Sequence, residues 1–368
     1  MYSLQTIIIY LFLFFIMFSL AKKASCRNKW NYIIFALVIY SIIFGIRYEV
    51  GMDYLSYLSS YEKQGQSNTL GINDFEPGFT LLIKILTSIN AHFVFFFGLI
   101  AFLQLYLVFK TFKTNYKIYP YLVYTFMFGC VWLDFGNGLR QVLALCIYIY
   151  SLSLFDKKYW LIKCFISILI AASIHKSVIL LVPFYFILKY KQEWFTNLKI
   201  QFILFFAAYI VGNIGIVQNI IGQFDSLFAY MQYEDYLERT DLEDMLDRKV
   251  SRGIGFYGIL ITDILLLLYS KKIKTHFSNN KLIKYFYNFY FIGILIRYAF
   301  LSSMIIQRIN VYFYYYKFIV AAYALLYARK KSVFLFIMLI LLYLIFFIGI
   351  LSSMESNKSM YKFFWQAN

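Results

Sequence analysis

The chain has 368 residues, of which 62% are hydrophobic and only three are proline, and its mean hydropathy is +0.67. Apolar stretches near ~20 residues recur from end to end, which excludes an ordinary soluble domain and indicates membrane-spanning helices. The net charge of +17 does not point to nucleic acid, because Lys and Arg sit in short clusters between apolar runs, where they set topology rather than form a binding face.

The runs are too continuous for the short alternating segments of a membrane barrel. The expected fold is therefore all-α and polytopic, a single multi-pass domain over 1–368 with about 12 crossings. In chain order these fall near 3–20, 30–46, 91–112, 120–135, 138–155, 159–174, 176–189, 199–221, 253–270, 284–302, 308–327 and 332–351. Met1 to Gln5 carries no basic residue, and Lys22, Lys23, Arg27 and Lys29 follow the first apolar run. That order is the reverse of a cleaved signal and fits a first helix entering from outside.

Segment 77–89 (PGFTLLIKILTSI) is too short to span and contains Lys84; it reads as a re-entrant or interfacial helix. With that segment not crossing, the clusters at 110–117, 157–163, 189–199, 271–284 and 329–331 all fall on the cytoplasmic side. Letting it cross would move the clusters at 110–117, 157–158 and 189–191 outside, against the positive-inside rule. Both termini are then expected outside. Two large extracytoplasmic loops result, 47–76 and 222–252, both expected to carry helix. The second is acidic, with opposite charges at helical spacing (EDYLERTDLEDMLDRK), as a water-facing cap would have.

This topology places Arg47, Glu49, Asp53, Glu76, Asp134, Asn137, Arg140, Gln141, His175, Gln307 and Arg308 at the outer ends of crossings. Charges in lipid are costly, so such residues line a cavity or seek the interface. In GIRYEVGMDYLSY (45–57), a carboxylate near Arg47 can orient it or act as a base, while Tyr54, Tyr57 and Tyr61 share a helical face. Interfacial anchoring by Tyr and Arg is the competing reading. In LDFGNGLRQVLAL (133–145), Gly136, Asn137 and Gly138 end one helix and open the next. Free N–H groups there, with Arg140 in the first turn, suit a phosphate or diphosphate; a tight turn with Arg140 on lipid headgroups is the alternative.

His175, in a tight outer turn, is either a satisfied turn histidine or a group able to take a proton from a sugar hydroxyl. Arg297, Gln307 and Arg308 flank another outer turn, and Arg308 opens a helix from outside as Arg140 does. Asp263 and Lys317 lie mid-span and are candidates to pair. Cys26, Cys130, Cys146 and Cys164 lack metal-ligand spacing, and no Gly-rich nucleotide loop or carboxylate-rich metal signature occurs. Neither a metal nor a cofactor is expected, and an ATP-driven transporter is excluded for this chain alone.

The ordered set RYEVGMDY (47–54), FEPGF (75–79), GLRQ (138–141), SIHKS (173–177) and QRINVYF (307–313) resembles the EpsG family of Wzy-type polysaccharide polymerases. The resemblance runs from about residue 45 to 320. It implies a glycosyltransferase of the bacterial inner membrane, acting on its outer face in O-antigen or capsule synthesis. Such an enzyme joins undecaprenyl-diphosphate-linked oligosaccharides, alongside a flippase and a chain-length regulator of the same pathway. It carries the expectation that Arg140, Arg308 and the 138–141 helix start hold the departing diphosphate. Arg47 would bind a second phosphate or steady the first, and Asp53 or His175 would serve as base. Glu49 and Glu76 would orient arginines or sugar hydroxyls, with Asn137, Gln141, Arg297 and Gln307 completing the substrate contacts. The acidic 222–252 loop matches no family role. The rival readings are a flippase or exporter of lipid-linked sugar, and a ligase or lipid-sugar-dependent glycosyltransferase.

Overall fold

Long runs of Leu, Ile, Phe and Val with almost no proline leave the backbone one economical way to satisfy its hydrogen bonds, the α-helix. The computed structural model describes residues 2–66, 75–214, 253–356 and 358–366. It is an all-α polytopic membrane protein with almost no strand. Eleven helices precede the second large loop: α1 (Tyr2–Arg27), α2 (Asn31–Gly45), α3 (Tyr54–Gln66), α4 (Pro77–Ser88), α5 (Phe93–Thr111), α6 (Tyr119–Phe128), α7 (Val131–Asn137), α8 (Leu139–Leu152), α9 (Trp160–Ile174), α10 (Val182–Tyr190) and α11 (Leu198–Ile214). Five follow it: α12 (Ile254–His276), α13 (Lys281–Ala299), α14 (Met304–Tyr314), α15 (Tyr316–Lys331) and α16 (Val333–Ser352). The acidic 222–252 segment lies outside the described residues.

Among the described residues, five spans are long and apolar enough to cross a membrane: Ser3–Arg27, Phe93–Thr111, Ile254–His276, Ile306–Lys331 and Val333–Ser352. Others are shorter than the sequence pattern suggests. The stretch expected as one crossing over 120–135 is α6 and α7, bent by 70°. The break falls at Gly129 and at Cys130, whose φ of 51° is left-handed. The stretch expected over 176–189 begins as a 3-10 turn, Lys176–Leu181, followed by the nine residues of α10. Segment 77–89 is a twelve-residue helix, about 18 Å long at 1.5 Å per residue and too short to span.

The chain forms two units, one of Met1–Tyr190 with Ala321–Asn368 and one of Lys191–Val320. In the first, α2 and α5 cross at two glycines. A Cβ on Gly45 would stand 2.6 Å from the Val94 carbonyl oxygen, and one on Gly98 would stand 2.9 Å from that of Ser41, so only small residues allow this approach. Helix α3 buries Tyr54, Tyr57, Leu58 and Tyr61 at i, i+3, i+4 and i+7, against Phe79, Phe96 and Phe97. The aromatic face expected there is core. Gln104, buried on α5, donates through Nε2 to the carbonyls of Phe135 and Leu139, both at 3.2 Å. These are carbonyls at the α7–α8 break, beside Asn137 and Arg140.

In the second unit, α13 packs between α11 and α14. Residues before α11 are pinned by Asn288, which accepts from the Trp194 N–H and donates to the Gln192 carbonyl. Lys274 reaches Glu193 at 2.6 Å and the Phe195 carbonyl at 2.8 Å.

Candidate functional site

Glu76 stands at the N-cap of α4, with Pro77 at the first helical position and an extended backbone, but its carboxylate does not cap its own helix. It turns instead to two other elements. Oε2 accepts from Arg140 Nη1 at 2.5 Å, while Oε1 meets His175 Nδ1 at 2.8 Å and accepts from the Lys176 N–H at 3.1 Å. One carboxylate thus ties the start of α8 to the end of α9. Burial pushes the Glu76 carboxyl up, but the hydrogen bond with His175 and the charge of Arg140 outweigh it and hold it at about 2, below its ordinary 4.5.

Each partner is placed by a local break. Arg140 is the second residue of α8, directly after the Gly138 turn. His175 leaves α9 in an extended conformation (φ −155°, ψ 109°) before the 3-10 turn begins. The side chains of Glu76, Arg140 and His175 are 11%, 24% and 23% exposed, shielded enough for the charges of Glu76 and Arg140 to interact strongly, yet reachable. The Arg140 guanidinium lies 4.4 Å from the centre of the Phe75 ring and hydrogen-bonds Tyr57, whose hydroxyl burial raises against the pull of that charge. With Nδ1 turned to a carboxylate, the neutral tautomer of His175 carries its proton there, leaving Nε2 as the basic lone pair.

The neighbouring 47–53 segment joins the same end of the unit. The Asp53 N–H donates to Asn137 Oδ1 at 2.8 Å, and Arg47 Nη2 donates to the Gly136 carbonyl at 2.8 Å. Asp53 also faces Tyr57 electrostatically. Arg47 is 2% exposed, a buried guanidinium held among the rings of Phe44, Tyr54 and Phe97 at 4.9, 5.8 and 5.8 Å. Glu49 pairs with Lys362 at 3.0 Å. Gln141 follows Arg140 on α8.

Arg297, Gln307 and Arg308 belong to the second unit. Gln307 Nε2 donates to the carbonyls of Arg297 and Phe300, at 3.1 and 2.8 Å, and so caps the end of α13. Arg297 lies over the Tyr314 ring at 4.7 Å. Deeper in that unit, Asp263 accepts hydroxyl hydrogen bonds from Tyr290 and Tyr298, both at 2.8 Å, and pairs with Lys317 at 2.8 Å. No group of three or more metal-ligating side chains occurs among the described residues.

The contribution of residues 358–366 was invisible in the sequence; a short aromatic tail gives no periodic signal. Tyr290 and Tyr298 were equally silent, since tyrosines are common throughout the chain. The FEPGF motif did flag Phe75 and Glu76.

The model of the EpsG family matches residues 29–365 of this chain. No curated protein and no solved structure matches it.

Proposed function

The chain belongs to the EpsG family, whose members are Wzy-type polymerases, and we propose from that premise that it joins lipid-diphosphate-linked oligosaccharide repeat units at the outer face of the bacterial inner membrane. The observation that carries this reading is the Glu76 carboxylate binding both the Arg140 guanidinium and the His175 imidazole. A glycosyl transfer from a diphosphate needs two things at once, a base for the incoming hydroxyl and positive charge for the departing oxygen. The corner offers both side by side.

In this mechanism the acceptor sugar hydroxyl gives its proton to His175 Nε2 as its oxygen bonds to the anomeric carbon of the donor. The bond from that carbon to the diphosphate oxygen breaks, and the electron pair leaves with the diphosphate. Arg140, with the N–H groups at the start of α8, meets the growing negative charge. Glu76 holds the imidazole in the tautomer that makes Nε2 basic and fixes the guanidinium by the same contact. Because Glu76 serves His175 directly, His175 is the base in this reading and Asp53 a border residue of the site. Arg47, sealed from solvent, supports the turn rather than touching substrate. Arg297 and Arg308 are retained as further anion contacts on their own unit.

Gel analysis of surface polysaccharide from a strain lacking the gene tests the reading. Single-repeat glycan is the expected product. Almost no glycan would instead identify a flippase, and long chains still on lipid carrier would identify a ligase.

A further inference from the structure

Arg47 presents a physical problem that its neighbours solve only in part. Its guanidinium keeps its charge in any protein setting, yet it is 2% exposed and no carboxylate among the described residues pairs with it. Its guanidinium makes one hydrogen bond, to the Gly136 carbonyl, and its Nε is buried without a partner. A buried charge left this way is costly and persists only where the surroundings fix it firmly. The fit is tight as well: a Cβ on Gly136 would lie 2.3 Å from Arg47 Nη1.

What fixes it is the far end of the chain. The strand β1 (Arg47–Tyr48) pairs antiparallel with β2 (Lys362–Phe363), in the register Arg47 with Phe363 and Tyr48 with Lys362. Around that pairing, the Phe364 N–H donates to the Ile46 carbonyl at 2.9 Å and the Gly51 N–H to the Lys358 carbonyl at 2.8 Å. The Tyr361 hydroxyl donates to the Ile43 carbonyl at 2.6 Å. The N-terminal helix holds the same segment, through the Tyr10 hydroxyl on the Ser359 carbonyl and Thr6 Oγ1 accepting from the Tyr361 N–H, both at 2.8 Å.

We propose that residues 358–366 form a positioning clasp for the polymerase site, acting through Arg47 and the Gly136 carbonyl on the turn that presents Asn137 and Arg140. The inference rests on the functional reading above. In it Arg47 is a positioning residue: the clasp sets β1, β1 sets Arg47, and Arg47 sets the start of α8. The clasp stays closed during the reaction cycle, because opening it would release the buried guanidinium.

Two variants of the full chain break the relay at opposite ends. Phe364→Pro removes the N–H that meets Ile46, and Gly136→Ala pushes Arg47 off its carbonyl. Each is expected to slow chain extension by about 10- to 100-fold, the size of effect a small misplacement of reacting groups produces. Membrane levels of the protein should stay normal. Because both cut one relay, the double variant should be no slower than the worse single one. A double variant whose loss is the product of the two single losses overturns the relay. A third variant, Tyr48→Cys with Lys362→Cys, locks the clasp by a disulfide. Full activity when oxidised supports it, and loss of activity reversed by a reductant overturns it. A gene deletion that leaves long chains intact would remove the polymerase reading itself. Where chains depend on the gene, wild-type chain length in both single variants removes the clasp alone.

Discussion

Two carboxylates in this molecule, Glu76 and Asp263, each gather several donors, and they differ in what they leave open. Asp263 is fully buried on α12, one of the long apolar spans, and its oxygens are taken up by the hydroxyls of Tyr290, Tyr298 and Tyr314 and by Lys317. Glu76 stands at a helix end beside two side chains that remain about one quarter exposed, and each of those retains chemistry of its own. A sealed, fully satisfied ion pair holds helices in register. In the proposed function, the half-shielded Glu76 carboxylate aims a base and a cation at the reacting groups. Charge inside a membrane protein is therefore not one kind of signal.

The sharpest way to break this contrast is His175→Ala. Loss of a general base costs on the order of 10²–10⁴ in rate, so long-chain polysaccharide should vanish while the protein still inserts at normal level, as read on a polysaccharide gel beside a membrane immunoblot. Wild-type chain lengths would strip the Glu76 corner of its catalytic role.

Asp263 should respond in the opposite currency. Asp263→Ala leaves Lys317 buried without its partner, at a cost of about 3–5 kcal/mol, so the melting temperature in detergent should fall steeply while polymer made per folded molecule holds. The double variant Asp263→Leu with Lys317→Met should recover most of the loss. If the double variant is as unstable as the single one, the pair is not a register device.

Glu76→Gln keeps the shape and removes the charge, and about 10-fold slower chain extension is expected from a less well oriented histidine. Its stability also carries a pH signature. Because the folded carboxyl titrates at about 2 rather than 4.5, its contribution is complete above about 4.5 and is lost as pH falls from there through 2. The gap in melting temperature between wild type and Glu76→Gln should thus narrow as pH falls from about 4.5 towards 2. A gap that widens over that range would contradict the pairing.

The smallest effect belongs to Lys362→Ala. Its contact with Glu49 is partly exposed on both sides, a setting in which ion pairs contribute about 0–1 kcal/mol. Chain length should be almost unchanged, which separates this surface pair from the backbone clasp beneath it.

The residues that meet at the corner were each marked in the sequence by their motifs: Glu76 in FEPGF, Arg140 in GLRQ and His175 in SIHKS. Their bonding was not marked. Arg140 is 64 residues from Glu76 and His175 is 99 residues away, and no local pattern carries a pairing across that distance. Arg47 shows the limit most clearly. The family resemblance implied a contact to a second phosphate or a steadying of the first, and only the structure shows its guanidinium among Phe44, Tyr54 and Phe97. Gln307, expected on substrate, spends its amide on the end of α13. Asp263 and Lys317 were only candidates to pair in the sequence, and the tyrosines that complete their shell were not marked.

By itself the amino-acid order determined the membrane-embedded helices, the short α4 and the collection of polar residues near the ends of spans, because hydropathy and helix length act over a few turns of chain. Tertiary structure alone decided the bend between α6 and α7, the choice of Glu76 as the link between His175 and Arg140, and the closing of the C-terminal segment over Arg47. Those outcomes depend on which side chains arrive within hydrogen-bond reach of one another. That is fixed by the packing of whole helices and not by any stretch of sequence read alone.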